Sequence, residues 1–384
     1  MAGYRTSDVT DTGRDLAIRS AVAAREPLAQ EVMAFVHAHP ELAHEEHETS
    51  AYLARVLADL GLVVETGIAG LDTAFRATLR GGLPGRTVGL VANYDAVPSV
   101  PVAGGLDPIH ACGHGPISAG VVAAIAALAA ERDLLRGSVV VMGCPADEIH
   151  SPGTVARGGG KAITAAAGAW DGIDAALYAH PEFLDTVWSA SAWMRRDTAR
   201  LHAGRTLVTG APQAVLGAMT ALVSAAASAP AAQVMLESLH LDGDVEEGTG
   251  IEALATFLLW APDEAGIEGL AAELRATVPE AEWEAGLPVP GIVPDAAVGA
   301  AVAASHRAAG RSYVDPPMAL PFATDFATIS RKVPSALVGV GRSGGWSFHT
   351  PEGAAQFASA DGLEAAMSLA TVLALASERL VVPT

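Results

Sequence analysis

The chain has 384 residues, is 51% hydrophobic and 17% charged, and carries a formal net charge of −20. That length exceeds one ordinary core and predicts two domains, or one domain with a large insertion. The acidity argues against nucleic acid and anionic membrane as partners, because both select basic surfaces.

No stretch reads as a membrane span. The most apolar one, residues 121–130, is well short of the about 20 apolar residues that a bilayer requires. Residues 1–19 mix Arg, Asp and Thr and lack the apolar segment of a secretory signal. Two cysteines, Cys112 and Cys144, are too few for a disulfide framework. A cytoplasmic protein is therefore expected.

In chain order, Leu53, Val56, Leu57 and Leu60 recur at helical spacing and predict a helix over 45–60, closed by Gly61. Strands are expected at 62–66, 73–79 and 87–92, with a turn at 81–85. An Ala-rich helix follows over 117–132. The continuous apolar runs 138–143 and 173–179 are the pattern of strands buried on both faces. Alternating strands and helices predict an α/β layer architecture. After about Arg195 the texture changes. A strand at 197–207, a helix at 211–229, a strand at 252–260, a helix at 263–277 and a strand near Trp283 resemble a small ferredoxin-like α+β unit. Helices near 295–310 and 360–380 complete a final α/β portion.

Chemistry-bearing residues cluster in short motifs. His110-Ala111-Cys112-Gly113-His114 places a thiol between two imidazoles, a combination that suits zinc and other first-row ions. Asp147-Glu148 follows directly on the run 138–143, and functional groups in open α/β sheets gather at the carboxyl ends of strands. Adjacent carboxylates there repel unless a positive charge lies beside them; a solvated helix start is the plainer alternative. His180-Pro181-Glu182 again ends an apolar run, and Phe348-His349-Thr350-Pro351-Glu352 follows a Gly-rich loop.

The order of these motifs resembles the M20 metallopeptidase family, in the amidohydrolase branch that also holds aminobenzoyl-glutamate hydrolases and the M20 domain-containing protein 2 group. The resemblance is carried by His39-Pro40-Glu41-Leu42, Tyr94-Asp95-Ala96-Val97-Pro98, His110 to His114, Asp147-Glu148, Gly158-Gly159-Gly160-Lys161, Gly168-Ala169-Trp170, His180-Pro181 and His349-Thr350-Pro351-Glu352. It implies a catalytic α/β domain with a mixed sheet, formed by residues 1–195 and 289–384, and an inserted ferredoxin-like α+β lid over 196–288. It also implies two divalent ions held by Cys112, His114, Glu148, His180 and His349. Thiolate ligation favours zinc, with manganese and cobalt as alternatives. By the same resemblance Asp147 stands at the general base and Asp95 orients a ligand. A small-molecule amide substrate and a homodimer through the lid complete the expectation. Cys144 is read as core packing, and His37, His44 and His47 as bystanders on or near helical surfaces.

The pattern departs from that family in four places. Asp147 replaces a Glu, which shortens its reach by about 1.5 Å. Gly115 follows His114 where Asp or Asn is usual. Val208 stands where the lid carries a His, and Trp260 where it carries an Arg for a substrate carboxylate, with Gly248-Thr249-Gly250 replacing the motif before that strand. These losses predict a substrate without the usual carboxylate. They also keep two rivals open: a site repurposed for amide formation or for ester or carbamate cleavage, and a decayed enzyme that only binds metal or a small molecule.

Overall fold

The computed structural model describes residues 13–98, 107–203, 211–229, 233–242 and 251–383. The described chain is a mixed α/β protein with a seven-stranded sheet and a separate four-stranded one. It divides into two compact units.

The first unit comprises Met1–Ser189, Val293–Pro317 and Thr328–Thr384. Its sheet runs in the order Val63–Thr66, Phe75–Arg80, Arg136–Gly143, Leu83–Ala92, Ala175–Glu182, Ser335–Gly341, Thr186–Trp188. The four strands from Arg136–Gly143 to Ser335–Gly341 are mutually parallel, and antiparallel strands flank them on both sides. Two of the parallel strands, Arg136–Gly143 and Ala175–Glu182, contain the continuous apolar runs expected of strands covered on both faces. The carboxyl ends of the four parallel strands therefore lie along one edge, and each leads into one of the motifs singled out above.

The helix His114–Ala130 is buried along nearly all its length. Its Ala and Val side chains leave no polar face, which is the signature of a core helix. It packs against Glu26–Ala38 and Ala360–Leu380. The latter helix is long and apolar enough to cross a membrane by length and composition, but 61% of its most apolar window is buried inside the protein. The expected turn at 81–85 is tighter than the sequence suggests. The strand Leu83–Ala92 already begins at Leu83, which pairs with Arg136, and a register shift before Thr87 absorbs Pro84 and Gly85.

The second unit comprises Ala190–Ile292 and Met318–Ala327. Its sheet order is Val234–Asp242, Ile251–Ala261, Trp193–Ala203, Glu282–Ala285, all antiparallel. With the helices Ala211–Ser228 and Glu264–Thr277 this makes a β-α-β-β-α-β unit. The edge strand Val234–Asp242 was not among the elements expected from the sequence. A register shift between Leu236 and Ser238 breaks its alternation, and its outer residues lie exposed, so the period-2 signal is lost. The segment Met318–Ala327, expected with the final catalytic portion, clusters here because Leu320 exchanges backbone hydrogen bonds with Ala190 and Ala192.

The core of this unit gathers Ala253, Ala255, Phe257, Leu259 and Ala261 from alternate positions of one strand against Leu222, Ile267 and Leu274 from the helices. Phe257 is fully buried and lies 6.1 Å from the Trp283 ring. Phe257→Ala is expected to cost this unit about 3–5 kcal/mol, read as earlier hydrogen exchange across the four-stranded sheet.

Candidate metal centre

The strand Leu83–Ala92 runs into Asn93, Tyr94 and Asp95, and hydrogen bonds from several elements fix this turn. Asn93 Nδ2 donates to the Cys144 carbonyl at 3.1 Å, and Ser118 Oγ donates to the Asn93 carbonyl at 2.7 Å. Tyr94 Oη donates to the Thr73 carbonyl at 2.5 Å. The Asp95 carboxylate divides its two oxygens. Oδ1 lies 3.1 Å from His114 Nδ1, and Oδ2 accepts from the Glu148 amide at 2.9 Å. The Asp95 carbonyl also receives His114 Nδ1 at 2.6 Å.

Gly113 separates Cys112 from His114 at φ +95°, where a Cβ would come within 2.9 Å of Pro181 Cγ. Only glycine meets both demands, and the turn aims the thiol and the imidazole into one space. His110 is turned away from it. Its Nε2 lies 3.4 Å from the His39 carbonyl, and burial, reinforced by His114, pushes it down to about 3, so it stays neutral.

The Asp147-Glu148 pair sits on a loop pinned from below. Ala146 adopts φ +58°, a costly conformation for a residue with a side chain. Its amide donates to Glu46 Oε1 at 2.8 Å, while Thr73 Oγ1 donates to Glu46 Oε2 at 3.0 Å. Glu46 is fully buried. Burial and the neighbouring Asp95 charge raise its carboxyl to about 8. Sequence analysis gave Glu46 no role, because nothing local marks a helix-start acid as buried.

Five side chains named from the sequence come together here. Cys112, Glu148 and His349 present ligand atoms within 4.8 Å of one another. His349 Nε2 is 3.3 Å from Cys112 Sγ and 3.7 Å from Glu148 Oε2. His180 Nε2 is 3.8 Å from the same sulfur, and its Nδ1 lies 2.7 Å from the Pro181 carbonyl and 3.4 Å from Glu182 Oε1. His114 Nε2 lies 3.1 Å from Asp147 Oδ2 and 3.8 Å from Glu148 Oε1. His349 reaches the cluster from a loop at φ +58°, its amide donating to the Ala111 carbonyl at 2.8 Å.

The electrostatics of the cluster are those of a cation site. Burial opposes ionisation of the Cys112 thiol, but hydrogen bonds to His114, His180 and His349 outweigh it and hold the thiol well below its ordinary value. Burial and the Cys112 charge push Glu148 well above the usual carboxylate range. Burial disfavours the charged form of His180, yet Cys112 and Glu182 raise it to about 10. His114 donates through Nδ1 to the Asp95 carbonyl and faces Asp147 and Glu148 through Nε2; burial opposes its charge, but Asp95 and the hydrogen bond to Asp147 outweigh it and hold the imidazole well above its ordinary value. Glu148 Oε1 is buried with no hydrogen-bond partner among the described residues. Thiolate, carboxylate and imidazole are the donors that divalent ions take, and here they converge. The residues fit a divalent metal centre. Asp95→Asn removes the negative charge beside His114 Nδ1 and is expected to weaken divalent-metal binding by about 10–100-fold, measured by competition with a chelating dye.

Asp147 has two further neighbours that the sequence did not single out for it. Lys161 Nζ donates to Oδ1, and Tyr178 Oη donates to Oδ2 at 3.1 Å. Burial works against the Asp147 charge, but Lys161 and His114 outweigh it and hold the carboxyl well below its usual range. The one available signal was the lysine closing Gly158-Gly159-Gly160-Lys161. Cys144 is buried beside this loop. His44 corrects the reading of a helical surface residue: it is buried at φ +67°, with Nε2 2.9 Å from the Gly158 carbonyl.

Trp260 belongs to the second unit, on the strand Ile251–Ala261. Alternate residues of this strand enter the helix-covered core, and Trp260 lies on the opposite register, half-buried. Val208 and Gly248-Thr249-Gly250 lie outside the described residues.

Comparison with known proteins accords with this geometry. The pattern of peptidase family M20/M25/M40 matches residues 89–375. Thermostable carboxypeptidase 2 of Saccharolobus solfataricus is 34% identical over 145 residues, which cover 36% of this chain and 35% of that enzyme. The aligned segment thus spans about a third of the curated relative. Among solved structures, a Staphylococcus aureus protein described as an aminohydrolase superposes with TM-score 0.72 at 20% identity, covering 96% of this chain and 100% of that one. The Bacillus subtilis YXEP protein, a dinuclear metal-binding peptidase, superposes with TM-score 0.69 at 18% identity over 94% of this chain and 99% of its own.

Proposed function

The chain belongs to peptidase family M20/M25/M40, and from that membership we propose that it is a metal-dependent hydrolase of an amide bond in a small N-acyl amino acid, N-acylated compound or short peptide. The observation that carries this reading is the convergence of Cys112, Glu148 and His349 within 4.8 Å, with His114 and His180 adjoining, at the carboxyl ends of parallel strands. In this reading these five residues hold two divalent ions. The thiolate favours zinc, and the dinuclear centre named for the Bacillus subtilis neighbour supports the count.

Bound ions would acidify a water and polarise the scissile carbonyl. The chain's own part is proton transfer and orientation. Asp147 Oδ2 takes the proton from water as its oxygen bonds to the carbonyl carbon, then returns that proton to the nitrogen as the C–N bond breaks. Asp95 keeps His114 Nε2 aimed at the ions, and Glu182 does the same for His180.

Trp260 supports a finer reading, in which the leaving portion of the substrate lacks a free carboxylate. An indole on the register opposite the helix-covered core offers apolar area and no cation. A homodimer through the lid is also proposed: Val234–Asp242 is an edge strand carrying exposed Met235, Leu239 and Leu241, and sedimentation of the purified protein measures its state.

The test combines metal counting with a substrate panel. About two ions per chain and cleavage of N-acyl compounds or dipeptides are expected, with carboxylate-free amides preferred over N-acyl amino acids. Tight binding of N-acyl amino acids but not their amides would overturn the carboxylate-free reading. Absence of bound metal after reconstitution would overturn the hydrolase.

A further inference from the structure

Lys161 is fully buried, though an amine is ordinarily a cation in water. It lies on the short helix Gly160–Ala166, and its Nζ is paired with Asp147 Oδ1 and sits 4.9 Å from the centre of the Tyr178 ring. Taking an ammonium out of water costs several kcal/mol, and an apolar side chain of similar volume often serves a core at least as well. Packing alone therefore gives no reason for a lysine here. The backbone is also shaped for the pair. Gly160 donates its amide to the Pro145 carbonyl at 3.1 Å, and a Cβ at this position would stand 2.1 Å from that oxygen. Glycine thus lets the helix that carries Lys161 close onto the loop that carries Asp147.

The consequence concerns which oxygen of Asp147 faces the metal ligands. Oδ1 is anchored by Lys161; Oδ2 points to His114 Nε2 at 3.1 Å and accepts from Tyr178 Oη at 3.1 Å. Without the anchor, the carboxylate is held through Oδ2 alone and can exchange its two oxygens by turning about the Cβ–Cγ bond. We propose that Lys161 is a positioning residue of the hydrolytic site, anchoring Asp147 through Oδ1 so that Oδ2 is the working oxygen. The proposal rests on the reading of Asp147 as the base. Lys161 touches neither water nor substrate in this role and acts through the carboxylate it holds.

The test uses the full chain in two states. In metal-free protein, thermal unfolding of Lys161→Met, Asp147→Asn and the double variant reports the pair without any need for activity. Lys161→Met is expected to lower Tm on the order of 10 °C by leaving Oδ1 of a buried carboxylate without its cation, and adding Asp147→Asn is expected to recover much of that loss. In zinc-loaded protein, Lys161→Met is expected to lower kcat about a hundredfold with KM little changed and zinc content intact, as a misplacement of about 1 Å would. Lys161→Gln, which keeps a polar side chain and removes the charge, is the second variant should the first not fold, with the same kinetic expectation. Additive effects in the metal-free cycle overturn the anchor. A lowered Tm with wild-type kcat overturns the positioning role and leaves a structural pair. A wild-type protein that binds zinc and cleaves nothing overturns the hydrolase reading instead, while the metal-free cycle still judges the anchor.

Discussion

Dialysis against a strong chelator is expected to abolish amide hydrolysis, and about two equivalents of zinc per chain are expected to restore it. The reason is the composition of the cluster. Within a few ångströms stand the Cys112 sulfur, the Glu148 carboxylate and the imidazoles of His114, His180 and His349. None of these, with Asp147 beside them, can by itself bring water to the acidity that attack on an amide demands; bound divalent ions do so by lowering its pKa by many units. The same treatment is expected to lower the melting temperature. A ligand that binds only the folded protein stabilises it by about 4 kcal/mol at a thousand times its Kd, and stripping it removes that contribution. Activity that survives complete removal of metal would sink the proposed mechanism. Loss of activity without recovery on adding zinc, with recovery on manganese or cobalt, would keep the mechanism and correct the ion.

Asp147→Asn is expected to lower kcat by about 10²–10⁴-fold, the usual contribution of a positioned general base, while two ions remain bound. An amide keeps the size of the side chain and one acceptor oxygen, but it cannot take a proton from water. Asp147 is not among the three residues whose ligand atoms converge within 4.8 Å, so metal content separates its role from theirs. Glu148→Gln makes the contrast, because there the expected first loss is of metal. Should Asp147→Asn turn over at the wild-type rate, the carboxylate would be a structural partner of Lys161 and another group would carry the proton.

The two variants bear on the shortened acid. Asp147 lies one methylene nearer the backbone than the glutamate that the sequence resemblance leads one to expect. The structure holds it on a loop raised by the left-handed Ala146, whose amide is tied to buried Glu46. Loop conformation and the Lys161 anchor thus both act on where a short carboxylate ends.

Much of this was already legible in the chain. Each apolar run and each helical period depends on neighbouring residues, so three of the four parallel strands, the core helix after His114 and the βα alternation of the second unit could be read locally; Ser335–Gly341 was not among the expected strands. The edge strand Val234–Asp242 escaped because a bulge and an exposed face erase the period that reading depends on. The candidate ligands could be named because each lies in a compact motif at the end of an apolar run. What the sequence by itself determined was therefore the fold class, the family pattern and the identity of the candidate ligand side chains. Only the tertiary structure decided their company: that His349 comes to Cys112 across 237 positions, that His110 turns away while His114 turns in, and that Lys161 closes on Asp147. The physical reason is that a buried charge is defined by its partner, and that partner is chosen by the packing of strands and helices distant in the chain, where no local period or composition records it.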